Sequence, residues 1–211
     1  MKNKLLLLLT VFCLSSAITV GQEKQEVLKL KGVIMKNDYH ENIAWVKSKP
    51  IALESKDFTV STYDVIYIQL YFGIYVEDGE QKTTPIHIVN SYNNVNWIFF
   101  DEISYLLGSK KEVRAGEGKR YKLHDNDTKR EVNGRVTEVS DVLLNSSTTS
   151  FVKYILEQPV TRLEIRYLNN KDNKSFDLTV HGGTKLMKKH FSALITAYNQ
   201  VNKKYSLNKT F

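Results

Sequence analysis

The residues best suited by type and spacing to do chemistry are three tyrosines on one stretch of chain. From Tyr63 to Val76 the even positions read Ile66, Ile68, Leu70, Phe72, Ile74 and Val76, and the odd positions Tyr63, Val65, Tyr67, Gln69, Tyr71, Gly73 and Tyr75. Strict period-two alternation of β-branched and aromatic residues predicts a strand with one core face. Tyr67, Tyr71 and Tyr75 then share the other face. Tyrosine offers a flat apolar body with a polar tip, suited to stacking on a sugar or holding a peptide. Four residues at about 3.3 Å each put Tyr67 and Tyr71 roughly 13 Å apart, a step that fits an extended polymer better than a compact metabolite. These three are the candidate ligand-binding residues. A helix laid across them would give the rings a core role instead. The segment exceeds the usual strand of about 5–6 residues, so a bend or bulge is expected near Gly73.

Other chemistries find little support. His40, His87, His124, His181 and His190 are scattered over separate segments, with no i, i+4 pair and no HExxH, so no metal site is expected. His190 falls on an apolar helical stripe and reads as a core or boundary residue. His124-Asp125-Asn126-Asp127 fails as a calcium loop because Lys129 takes the fifth position; it reads as a solvated turn. No G-x-S-x-G elbow is present, and Ser146, Ser147 and Ser150 look like helix-capping residues. Asp101 and Glu102 are adjacent, so in a strand they point to opposite faces. The loop 108–120 lacks the phosphate-cradling glycine pattern, since Val113 stands where the first glycine must be; it reads as a mobile hairpin loop. No catalytic residue, cofactor or metal is assigned, and no nucleic-acid partner is expected.

The elements that would position the tyrosines follow from the same patterns. Strands are expected around Leu28–Ile34, Ile51–Val60, Pro85–Val89, Lys119–Leu123, Thr161–Leu168 and Phe176–Val180. Asn96 to Leu107 should be a strand buried between layers at its start, where Trp97, Ile98, Phe99 and Phe100 are apolar on both faces. Glu77-Asp78-Gly79-Glu80 closes the long strand. Asn133-Gly134 marks a two-residue hairpin between 129–132 and 135–139. Ser147 or Thr148 would cap a short helix carrying Phe151, Val152, Ile155 and Leu156, which Pro159 ends. Thr184 would cap a final helix with the stripe Met187, His190/Phe191, Leu194/Ile195, Tyr198 and Val201. The order predicts an α+β fold: a mostly antiparallel sheet with a short helix and a C-terminal amphipathic helix packed on one face.

Residues 1–21 have the layout of a secretory signal: Lys2 and Lys4, an apolar run from Leu5 to Leu14, then Ser15-Ser16-Ala17. Cleavage after Ala17 or after Gly21 both fit. The apolar run is too short to span a bilayer, which takes about 20 residues. The rest, 22–211, is expected to be a single domain without a transmembrane span. It contains no cysteine, because the one cysteine is Cys13; disulfides and thiolate chemistry are excluded. Losing Lys2 and Lys4 lowers the formal charge of +7 by two. Much of the remainder sits in Lys185, Lys188, Lys189, Lys203, Lys204 and Lys209, with no acid among them. An exported face so charged could touch anionic envelope polymers or lipid headgroups.

The stretch Asn96-Trp97-Ile98-Phe99-Phe100-Asp101-Glu102-Ile103-Ser104-Tyr105-Leu106-Leu107, with the hairpin, short helix, two strands and closing helix after it, resembles small exported bacterial domains of unknown function. Those domains begin with a similar W-x-F…I-x-[FY]-L strand. The resemblance covers roughly residues 65 to 201 and implies an envelope protein of a Gram-negative bacterium; no functional residues carry over from it. The expected function is a non-enzymatic binding module, periplasmic, cell-surface or extracellular. Its partner would be an extended envelope polymer or another envelope protein. The alternative is a hydrolase acting on an envelope polymer, with carboxylates brought together from separate strands.

Overall fold

The computed structural model describes residues 30–56, 63–115, 117–124, 128–169, 171, 173–178, 182–205, 207 and 211. The expected signal at 1–21, the end of the strand expected over 51–60, the expected turn at 125–127, Val180, His181 and Lys209 lie outside them. Lys31–Phe211 forms one compact unit. Among the described residues the chain runs β1 (Val33–Asp38), β2 (Ile43–Ser48), β3 (Ile51–Lys56), β4 (Tyr63–Glu77), β5 (Glu80–Thr83), β6 (His87–Asn94), β7 (Glu102–Gly108) and α1 (Lys110–Ala115). It continues through β8 (Lys119–His124), β9 (Lys129–Val132), β10 (Val136–Leu143), α2 (Ser146–Glu157), β11 (Arg162–Leu168), β12 (Asn173–Asp177) and α3 (Gly183–Lys204). The fold is α+β and all its strand pairs are antiparallel. The strands divide into two sheets: a large one in the order β1-β2-β4-β6-β10-β9, with β3 and β5 also paired to β4, and a small one in the order β12-β11-β7-β8.

Strand β4 is the spine of the large sheet and runs unbroken through Gly73. The breaks fall in its neighbours. On one edge Lys47 pairs with Tyr71 and Ile51 with Ile68, so three residues oppose two around Pro50. On the other edge Thr83 pairs with Ile74 and His87 with Tyr71, again three against two, around Pro85. Proline has no N–H to give a ladder, so a bulge is where a sheet can hold it. Hydroxyls fill the gaps: the Ser48 Oγ accepts from the Leu70 N–H at 3.1 Å, and the Thr84 Oγ1 from the Gly73 N–H at 2.8 Å. The turn from β4 to β5 has Asp78 and Gly79 at φ 55° and 77°, the left-handed pair that a two-residue hairpin turn requires.

The even-numbered face of β4 is the core face, with Ile66, Ile68, Leu70 and Phe72 fully buried. Two layers cover the inner side of the large sheet. Helix α3 lies over β1 to β4, burying Met187, Phe191, Leu194, Tyr198 and Val201; the Tyr198 ring meets Phe72 edge-on at 5.0 Å. The small sheet meets the inner face of β6: the Tyr105 hydroxyl donates to Asn90, and the Tyr92 and Tyr167 rings lie 5.7 Å apart. Phe151 of α2 stacks on Tyr105 at 4.3 Å. None of the described helices is long and apolar enough to cross a membrane.

Several local expectations are corrected. Strand β7 starts at Glu102, not Asn96. Ile98 and Phe100 are buried, but Phe99 is 56% exposed and has φ 56°, so 95–101 is a crossover and not a strand buried on both faces. Asn145 caps α2, its side-chain oxygen accepting from the Ser147 and Thr148 N–H groups. Helix α3 is preceded by Gly182 and has no side-chain cap. The β9–β10 loop holds three residues, since Val132 pairs with Val136. A short helix, α1, occupies part of the loop read as a mobile hairpin. Ser109 and Glu112 close a capping box there: the Ser109 N–H donates to the Glu112 carboxylate at 2.6 Å and the Glu112 N–H to the Ser109 Oγ at 3.2 Å. The Ser109 backbone N–H, and then the Ser109 side chain, hold the Glu112 carboxyl below its ordinary range.

Candidate functional site

The odd-numbered face of β4 is the outer face of the large sheet, because α3 and the small sheet pack on the even-numbered side. Tyr67 is 41% exposed, and Tyr71 and Tyr75 are half-buried on the same face. Of the three, Tyr71 is the ring around which a site is built. Its neighbours come from other strands. Register places Lys47 of β2 and His87 of β6 directly opposite Tyr71, and Trp45 opposite Gly73. On β10, Leu143 faces His87 and Asp141 faces Val89, so Asp141 shares the outer face with His87.

The Trp45 ring meets Tyr71 edge-on at 5.4 Å, and the His87 ring lies tilted against Tyr71 at 5.0 Å. The Lys47 ammonium sits 5.8 Å from the Tyr71 centroid. The Tyr71 hydroxyl donates to Asp141 Oδ2 at 2.6 Å, and His87 Nδ1 lies 3.0 Å from Asp141 Oδ1. Both carboxylate oxygens are therefore engaged, one by each ring. Burial, and then the bond and charge of Asp141, raise the Tyr71 phenol well above its usual range. Burial also pushes the Asp141 carboxyl up, but the bonds from His87 and Tyr71, with the charges of His87 and Lys129, outweigh it and hold the carboxyl below its ordinary range.

Gly73 makes room for this arrangement. A Cβ there would come within 2.9 Å of Ile43 Cγ2 and 3.1 Å of both Thr84 Cγ2 and Trp45 Cζ3, so only the missing side chain lets the Trp45 ring lie over β4. Trp45, Tyr71, His87 and Asp141 thus form a stripe across four adjacent strands. At about 4.8 Å per strand step it spans roughly 14 Å. The spacing in the sequence pointed along β4; the assembled stripe runs across it, with Tyr67 and Tyr75 one step to either side of Tyr71.

The remaining candidates stay apart. Glu102 pairs with Lys122 at 3.1 Å, while Asp101 is exposed. His190 is half-buried at the edge of α3; burial lowers its pKa, opposed by a hydrogen bond with the Lys49 backbone. Lys185, Lys188, Lys189, Lys203 and Lys204 are exposed on α3. Among the described residues no group of three His, Cys, Asp or Glu could hold a metal ion. Sequence reading missed Trp45, Asp141 and the role of His87. Their only signal is parity: each occupies an outward position of its own strand, which is visible once the strands are aligned. A second aromatic feature, the stacked pair Trp97 and Phe99 at 5.6 Å, lies on the 95–101 crossover. Comparison with protein-family models, curated proteins and solved structures finds no match to this chain.

Proposed function

We propose that the chain is an exported, non-enzymatic binding module of the cell envelope or its exterior, and that the outer face of the large sheet is its binding surface for an extended polymer. The observation that carries this is the Tyr71 ring, held between Trp45 and His87 and fixed at its hydroxyl by Asp141, on the face turned away from the core. A ring already locked in place loses little rotamer freedom when a ligand stacks on it, and preorganisation of that kind favours affinity. Tyr67 and Tyr75 extend the face along β4. The rival reading, a hydrolase acting on an envelope polymer, calls for two convergent carboxyl groups. On the stripe, Asp141 already has both oxygens committed to Tyr71 and His87, which suits holding rings better than attacking a substrate.

The test is a screen of glycans and peptidoglycan fragments, read by tryptophan fluorescence and calorimetry, on wild type and the Tyr67→Ala/Tyr71→Ala double variant. Aromatic pairs contribute about 0.5–1.5 kcal/mol beyond area burial; if ring–sugar stacking is of that size, two lost rings should weaken binding about fivefold or more while circular dichroism stays unchanged. Equal binding by both proteins, or no binding by wild type, would overturn the proposal. The export half rests on the layout of residues 1–21. N-terminal sequencing of the protein from its native host should begin near Ile18 or Gln22; soluble cytoplasmic protein retaining Met1 would refute it.

A further inference from the structure

We infer that His87 Nε2 is a hydrogen-bond acceptor aimed at the ligand, so that the polymer bound on this face is a neutral, hydroxyl-bearing glycan. The inference rests on the binding reading above and adds the chemical class of the ligand to it. Its argument is one of hydrogen positions. Asp141 receives the Tyr71 hydroxyl at one oxygen and faces His87 Nδ1, 3.0 Å away, with the other. An ionised carboxylate only accepts hydrogen bonds, so the hydrogen of a neutral His87 ring must be on Nδ1. The other nitrogen, Nε2, then carries a lone pair. It forms no hydrogen bond with any described residue, and the His87 side chain is 29% exposed.

A ligand group that meets Nε2 must therefore donate. A carboxylate, sulfate or phosphate oxygen would meet a lone pair backed by the Asp141 charge. Lys47 and Lys129 bring positive charge to the same neighbourhood, so the face as a whole is not strongly selective by charge. Selection comes from the atom at the tip of His87. A pyranose unit carries an apolar C–H face and a rim of hydroxyls in one ring. That matches a Tyr71 ring lying 5.0 Å from the His87 ring that holds the acceptor. A peptide also has N–H donors, but an extended chain commonly satisfies them by adding to a sheet edge, whereas Tyr71 and His87 project from a sheet face.

The experiment compares two probes of equal length, a neutral hexasaccharide (cellohexaose) and a uronic-acid hexamer (hexagalacturonate), by calorimetry at pH 8. The proteins are wild type, His87→Phe and Tyr71→Ala. His87→Phe keeps a ring beside Tyr71 and removes the acceptor. The neutral hexamer should bind wild type at least tenfold tighter than the uronate, and His87→Phe should lose about tenfold for the neutral probe. Nitrogen chemical shifts of His87 should report a hydrogen on Nδ1, and the Nε2 resonance should move on binding. Tighter uronate binding, a hydrogen on Nε2, or undiminished binding by His87→Phe where Tyr71→Ala has lost it would overturn the inference and leave the binding reading standing. So would binding confined to the stem peptide of a peptidoglycan fragment. If no member of the glycan and peptidoglycan panel binds wild type, the binding reading falls with it.

Discussion

Leu194→Ala is expected to cost about 2–5 kcal/mol of folding stability, the range for truncating a buried leucine. Leu194 is fully buried in the stripe of α3, between Phe191 and Tyr198, and that stripe is what covers the core face of β4. Truncation leaves a cavity that a sheet backed by Ile68, Leu70 and Phe72 cannot readily close, because β4 is paired along both edges. The opposite side of the same helix should respond differently. Lys185, Lys188 and Lys189 are exposed, and replacing all three with Gln should change stability by less than about 1 kcal/mol, as solvated charges do. Urea titrations of the two variants measure both effects. A triple variant that unfolds, or a Leu194→Ala protein as stable as wild type, would mean that the helix is seated the other way round.

Glu138→Ala is expected to cost about 2–4 kcal/mol, because it leaves the Ile98 and Phe99 N–H groups without their acceptor, at about 1–3 kcal/mol for each buried unsatisfied group. The Glu138 side chain is fully buried. One of its oxygens accepts from the Ile98 N–H at 2.6 Å and the Phe99 N–H at 3.0 Å, and the other faces Arg130 Nε at 3.3 Å. It ties the crossover between the two sheets to β10 and holds Phe99 in a left-handed conformation that a bulky residue rarely adopts. The Arg130 guanidinium also lies 5.6 Å from the Phe99 ring. Glu138→Gln should cost clearly less, because the amide oxygen can still accept both N–H bonds while only the pairing with Arg130 is lost. Equilibrium unfolding of both variants, with the Phe99 amide resonance followed by NMR, gives the answer. If Glu138→Ala loses less than about 1 kcal/mol, the crossover is held by its other contacts.

What could be read from the sequence divides by distance along the chain. Alternation within β4 is a local property, so the strand, its core face and its tyrosine face were legible residue by residue. The stripe of α3 was legible for the same reason. The run Trp97 to Phe100 was not, because consecutive apolar residues carry no period; what decides its path is Glu138, about forty positions later. Capping of α2 was ambiguous within a polar cluster, and Asn145 won over the serines and threonines after it. The capping box at Ser109 and Glu112 was legible and passed over. The site itself required register. His87 and Asp141 are 54 positions apart, and nothing local to either one indicates that β6 and β10 pair so as to bring them together.

Helix α3 sets the timetable on which this chain can fold. Among the described elements it comes last in the chain, yet it covers β1 to β4, which come first. Throughout synthesis of the intervening segments, Leu70, Phe72 and their neighbours have no lid. The hairpins of the large sheet can form early, but their apolar side stays in water until residues near 201 emerge, and such surfaces are prone to aggregate or to recruit chaperones. Closure joins positions more than a hundred residues apart, as Phe72 and Tyr198 are, which slows the final step. The core beneath α3 therefore sets only after that helix has been made.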